Sequence, residues 1–313
     1  MTERLLSSMK QLPLVTNPVY SYSFDQKHRF PMEKFGLLNQ YLAGQHILSA
    51  SNVHRPGKAR PELLQLAHCS DYIKRFTSNT LDKQASRRLG LPWSQGLVTR
   101  SWISPNGSFL TAQLALRHGI ACHLAGGTHH AHRDFGSGFC VFNDLAVAAK
   151  ALLAQGRVKR LLIFDCDVHQ GDGTATILAD EPAAFTCSVH GAKNFPARKA
   201  CSDLDVEVAS NCEDDQYLSI VSDTLETALA SARPELVIYD AGVDIYAGDP
   251  LGLLKVSENG IRQRDRMVIE RCRSAGIPVA TVIGGGYDDD RKALARRHAI
   301  VVEEAQRRFL QEQ

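Results

Sequence analysis

Residues 160–173 read RLLIFDCDVHQGDG, and they set a short apolar run directly against Asp165, Asp167, His169 and Asp172. Arg160 to Phe164 has the length and composition of a strand buried on both faces, the kind found in parallel sheets. The same grammar recurs along the chain. Ile120 to Leu124 runs into GGTHHAHRD, Glu235 to Tyr239 into DAGVDIYAGDP, and Pro278 to Ile283 into GGGYDDD, while Ala184 to Val189 reads as a further strand. The intervals Phe142 to Ala154, Asp214 to Ala232, Glu258 to Ala275 and Arg291 to Leu310 carry apolar residues at three-to-four spacing, the pattern of amphipathic helices. Strands alternating with helices predict an α/β fold with a mostly parallel sheet and helices on its faces. Open sheets of this kind bind ligands outside the carboxyl ends of their strands, so four segments distant in sequence should converge on one edge. The residues before Ser108 are less periodic, with RPGKARP at 55–61 as the clearest loop, and are expected to wall that edge.

Composition narrows the function classes. The 313 residues carry 36 basic and 34 acidic side chains, a net charge of +2 without a basic stripe, which argues against a nucleic-acid partner. Apolar stretches fall far short of the roughly 20 residues a membrane span needs, so no membrane partner is expected. The opening MTERLLSSMKQLPLV lacks the apolar core of a secretory signal, and the protein is read as cytoplasmic. The eight cysteines form no C-x-x-C pair and are read as reduced core residues. No linker composition divides the chain, so residues 1–313 are read as one catalytic domain.

Carboxylates crowded at a strand end repel one another and lose hydration, and a bound cation is the simplest way to make them tolerable. Asp167 and His169, two apart in an extended segment, point to one side. An imidazole and a carboxylate suit zinc, and one more carboxylate would complete a site with a position left open. Asp249 in AGDPLG is the candidate third ligand and Asp244 its local rival. The plainer reading of Asp249 is an acceptor in the turn before Pro250. His129 and His130 are adjacent imidazoles able to act as electrostatic partner and base if Asp165 and Asp172 hold them, and His132 follows closely.

With these residues in place, GGTHHAHRDFGSGFC, DCDVHQGDG, GVDIYAGDPLG and GGGY together resemble the zinc-dependent histone deacetylase superfamily, over roughly residues 20–310. EDDQYL, GDPLGLLKVSENGI and RRLGLPWSQGLVTRSW look most like its class IV members and their bacterial relatives. The resemblance implies an arginase-like three-layer fold around a central eight-stranded sheet, with a tunnel to one zinc ion per chain. It implies that Asp167, His169 and Asp249 hold zinc. His130 is then the general base and later acid, His129 assists electrostatically, Asp165 and Asp172 back the histidines, and Tyr287 donates to the developing oxyanion. Gly138, Phe139, Phe195 and Leu251 resemble tunnel walls. Asp165, Asp167, His169, Ser188 and Val189 resemble an inner potassium site, and Arg29 resembles an arginine lining an internal acetate channel.

The activity implied is hydrolysis of an N-acyl amide, with acyl-lysine in a protein or peptide, carrying an acetyl or longer fatty acyl group, as substrate. The apolar Leu251 stands where polyamine deacetylases of the superfamily carry an acidic gatekeeper. A small acylated amine such as an acetylpolyamine is the alternative substrate, and a non-hydrolytic acyl-lysine-binding module or a di-manganese ureohydrolase the alternative function.

Overall fold

The protein is described by a computed structural model covering residues 11–24 and 28–313; the leader reading of MTERLLSSMK falls outside them. Eight strands are present: β1 (Leu14–Val15), β2 (Val53–His54), β3 (Ile120–His123), β4 (Leu161–Asp165), β5 (Ala184–Gly191), β6 (Leu204–Val208), β7 (Val237–Asp240) and β8 (Val279–Val282). They form one sheet in the order β2-β1-β3-β8-β7-β4-β5-β6, with every pairing parallel. The four strands that run into polar clusters, β3, β8, β7 and β4, are consecutive neighbours at the centre of this order.

Alternation along each strand divides the core into two layers. Leu162 and Phe164 of β4 join Val237, Tyr239 and Val279 on one face, packed under helices Lys34–Gly44, Asp214–Ala232, Glu258–Ser274 and Arg291–Gln311. Leu161 and Ile163 join Ile238, Ala280 and Val282 on the other, under Gln95–His118 and Asp144–Ala154. Both faces are covered, which is why these strands read as continuous apolar runs. Helix Gln95–His118 is the element the periodicity hides. It is buried on nearly all sides and contains Pro105, so no polar stripe announces it. No described helix is long and apolar enough to cross a membrane.

His68 ties the outer helices to the site. Its Nε2 accepts the Asn143 backbone N–H at 2.8 Å, and its Nδ1 donates to the His132 carbonyl at 2.9 Å. The acceptor role of Nε2 requires a neutral ring, and burial lowers its pKa to about 4. Between pH 6.5 and about 4 the unfolded chain therefore binds the proton that the folded chain refuses, and stability falls as pH falls through this window. The contribution is on the order of 3 kcal/mol at neutral pH. His68→Gln should be less stable at pH 7.5 and should lose less stability than the parent between pH 7.5 and 4.5 in urea titrations. Parallel pH profiles for the two proteins would exclude this role.

Candidate functional site

Each strand end delivers its cluster through a short backbone excursion. After β4, the Asp167 N–H donates to Asp165 Oδ1 and the His169 N–H to Asp167 Oδ1, both at 3.0 Å, so the acidic run is folded upon itself. After β7, the chain reaches Asp244, whose Oδ1 accepts the Val168 N–H at 2.9 Å. After β8, the Gly285 N–H donates to Asp167 Oδ2 at 2.7 Å. A side chain on Gly285 would run into the Asp244 and Asp167 carboxylates, so only glycine fits there. Arg264, fully buried, ties the strand ends together: its guanidinium donates to the carbonyls of Cys166, Gly242 and Ala241 at 3.3, 2.7 and 3.2 Å, and it pairs with buried Asp265. Replacing Arg264 with Met should cost about 3–5 kcal/mol, because Asp265 loses its counter-ion and three carbonyls their donor. An unfolding free energy within about 1 kcal/mol of the parent in urea titrations would refute that role.

Asp167, His169 and Asp244, all buried, place one ligand atom each within 4.8 Å of one another. His169 Nδ1 lies 3.0 Å from Asp167 Oδ1 and 3.1 Å from Asp244 Oδ2. Burial opposes its charged form, but the hydrogen bonds to Asp167 and Asp244 outweigh it and push its pKa up to about 10. The protein thus demands a positive charge between two buried carboxylates. Two hard oxygens and an imidazole nitrogen are the donor set of catalytic zinc, so these residues fit that ion.

The third member of this close group is Asp244, where the expectation had Asp249. Asp249 lies outside the group and braces the backbone: Oδ1 accepts from the N–H groups of Leu251 and Gly252 at 2.8 and 3.2 Å, and Oδ2 from the N–H of Tyr287 at 2.7 Å. The plainer turn-acceptor reading of Asp249 is what the structure supports, with the addition that the turn grips Tyr287. Strand register carries a signal for the correct residue. The pairing of β4 with β7 ends at Asp165 beside Asp240, and His169 and Asp244 each follow four residues on.

The paired histidines take opposite charge states. His129 Nδ1 lies 2.7 Å from Asp165 Oδ2; burial works against its charge, but Asp165 and Asp167 overcome it and hold the ring protonated. His130 Nδ1 lies 2.7 Å from Asp172 Oδ1, and burial, reinforced by the His129 charge, lowers its pKa to about 4. Their Nε2 atoms are 3.2 Å apart. Asp172 also meets His132 Nε2 at 3.2 Å. Behind His129, Asp240 forms a second close group with Asp165, and among the described residues neither of its oxygens has a hydrogen-bond partner. Sequence reasoning did not single out Asp240, Arg264, His68 or Asn143. Their roles depend on neighbours more than 12 residues away in sequence.

Tyr287 is nearly buried, with its ring against Phe30 and Phe139. Burial, then Asp244 and Asp167, raise its pKa well above that of a free tyrosine, so the hydroxyl keeps its proton. An outer cavity of about 410 Å³ opens above these groups, with Gly138, Phe139, Phe195 and Leu251 in its wall and His130, His169 and Tyr287 reaching it from below. The expected tunnel residues therefore come together. Gly138 and Phe139 have φ of +51° and +67°, and a Cβ on Gly138 would approach His130 Cδ2 to 2.6 Å, which fixes the identity of the glycine.

An inner cavity of about 40 Å³ is lined by the metal group itself, with Lys34, Arg100, Thr128 and Cys140 also in its wall. Arg29 is not in it, correcting the channel expectation. Arg29 is exposed, with its guanidinium carbon 5.0 Å above the Phe139 ring at the outer cavity. The buried cations are Lys34, whose Nζ donates to the Gly284 and Gly286 carbonyls, and Arg100, which donates to the Tyr20 carbonyl. Sequence position alone did not separate Arg29 from Lys34, five residues along the same segment. Of the expected potassium ligands, Asp165 sits beside Ser188 in the sheet register, while Ser188 Oγ is 3.0 Å from His190 Nδ1.

The family model for the histone deacetylase domain matches residues 28–304. The chain is 46% identical over 289 residues to an uncharacterized protein of Picosynechococcus sp., covering 92% of this chain and 96% of that protein. It is 31% identical over 328 residues to histone deacetylase 2 of Arabidopsis thaliana, covering 98% and 84% respectively. Similarity also extends to the acetoin utilization protein AcuC of Staphylococcus aureus, at 28% identity over 78% of this chain and 68% of that protein. Among solved structures, an HDAC homolog from Aquifex aeolicus superposes with a TM-score of 0.81 at 22% identity, covering 95% of this chain and 84% of that one. An HDAC homolog complexed with SAHA superposes with a TM-score of 0.79 at 23% identity, covering 95% and 84%. At such identities the structural likeness speaks for the fold.

Proposed function

The chain belongs to the histone deacetylase domain family and is a deacylase enzyme, and on that premise we propose that it hydrolyses acyl-lysine in a protein or peptide, with Asp167, His169 and Asp244 holding one zinc ion. The observation that carries this reading is the convergence of that donor set, a neutral His130 beside a charged His129, and a protonated Tyr287 on one cavity floor. When bound, zinc supplies Lewis acidity at the acyl carbonyl and lowers the pKa of water. His130 keeps Nε2 available because its Nδ1–H donates to Asp172, so it can accept a proton from attacking water and return it to the leaving amine. His129, held by Asp165, keeps a positive charge beside the developing negative charge. Tyr287 donates its hydroxyl to the tetrahedral oxygen. Asp165 and Asp172 thereby position the two rings.

A potassium ion at Asp165, Asp167, His169, Ser188 and Val189, class IV kinship, a single catalytic unit over residues 1–313 and a cytoplasmic location belong to the same proposal. The test is turnover of acetyl-lysine and long-chain acyl-lysine peptides with and without a chelator. Chelator-sensitive release of acetate supports the reading, and metal-replete protein that binds these peptides without cleaving them would overturn it.

A further inference from the structure

The chain as a whole is nearly neutral, with 36 basic and 34 acidic residues, yet the rim of its substrate opening is not. Arg29, Arg87, Arg88 and Lys193 all line the outer cavity, and among the described residues no aspartate or glutamate lines it with them. All four are exposed. They come from three separate segments: the loop before helix Lys34–Gly44, the last turn of helix Lys83–Leu89, and the excursion after β5. Among the described residues none of them pairs with a carboxylate.

Two of the four are held by rings. The guanidinium carbon of Arg88 lies 4.0 Å from the Phe135 ring centroid, and that of Arg29 lies 5.0 Å from the Phe139 centroid. Stacking fixes a guanidinium without neutralising it and leaves its in-plane N–H donors free for an anion. Cations spaced around an opening and left without protein counter-ions raise the local concentration of negative ligands and repel positive ones. A polyamine is the wrong partner for such a rim.

Resting on the deacylase reading, we infer that the preferred substrate is an acyl amide carrying negative charge close to the acylated nitrogen, with an acyl-lysine flanked by acidic residues as its principal form. The rim acts on encounter and on KM, since the charges lie outside the reacting atoms. Exposed pairs are individually weak, so two or three of them together should be worth about tenfold in kcat/KM at low salt.

The experiment compares acetyl-lysine peptides matched except for glutamate, glutamine or lysine at the flanking positions. The glutamate peptide should exceed the lysine peptide about tenfold, chiefly through KM, and the gap should close as salt shortens the screening length to about 3 Å at 1 M. The double variant Arg87→Glu/Arg88→Glu should reverse or abolish the preference while leaving turnover of the glutamine peptide unchanged; Arg87→Gln/Arg88→Gln should fall between. Free Nε-acetyllysine, run beside its carboxamide, separates a small carboxylate from acidic peptide flanks as the source of the charge. Equal kcat/KM for glutamate and lysine peptides, or a preference untouched by charge reversal, would overturn the inference. Should no peptide be cleaved, binding to the metal-loaded protein still decides: tighter binding of the glutamate peptide upholds the rim and sinks only the hydrolase reading, and equal binding sinks both.

Discussion

Asp244→Asn should bind zinc at least about 100-fold more weakly than the parent and lose turnover with it, whereas Asp249→Asn should retain its zinc. The threshold is set by the 10–100-fold that loss of a merely supporting partner already costs a metal site. Asp244 presents Oδ2 to His169 Nδ1 at 3.1 Å and belongs to the close group with Asp167. Asp249 lies outside that group and holds three backbone N–H groups instead. Its loss should act differently: the Tyr287 N–H would lose its anchor and the Leu251 turn would loosen, lowering kcat while metal content stays at the parental level. Metal quantification after dialysis, alongside kinetics on an acetyl-lysine peptide, separates the two. A protein that keeps its metal as Asp244→Asn and loses it as Asp249→Asn would return the third ligand to Asp249.

Tyr287→Phe should lower kcat by about 10²–10³, the range observed when one donor to a developing oxyanion is removed. Two features favour a clean result. Phe30 and Phe139 hold the ring, so its packing survives loss of the hydroxyl. No protein group among the described residues hydrogen-bonds that hydroxyl, so its removal leaves no buried partner stranded. Zinc content and thermal stability should be unchanged, and KM should move far less than kcat, the signature of a contact made mainly in the transition state. Turnover within about threefold of the parent would remove Tyr287 from the chemistry.

The contrast between Asp249 and Asp244 shows where local reading stops. GDP is a conspicuous turn signal, and conspicuousness favoured Asp249. The geometry that selects Asp244 belongs to the pairing of β4 with β7, two strands separated by more than 70 residues. Arg29 and Lys34 pose the same problem: both are cations in one short segment, and only the packing of helix Lys34–Gly44 against the sheet sends one inward and leaves the other on the rim. Asp240 and Arg264 gave no local signal, because a carboxylate at a strand end and an arginine in a charged helix look ordinary until their neighbours are known.

Read alone, the chain determined the alternation of strands and helices, the placement of polar clusters at strand ends, the roles open to the paired histidines, and the Asp167–His169 half of the metal site. These depend on composition and on spacings of two to eight residues, which the backbone converts directly into shared faces. Tertiary structure alone decided that β3, β8, β7 and β4 lie side by side, that Asp244 joins Asp167 and His169 in one close group, and that four cations line the mouth. Each of these requires distances between groups far apart along the chain, and such distances are set by how both faces of the sheet pack beneath their helices.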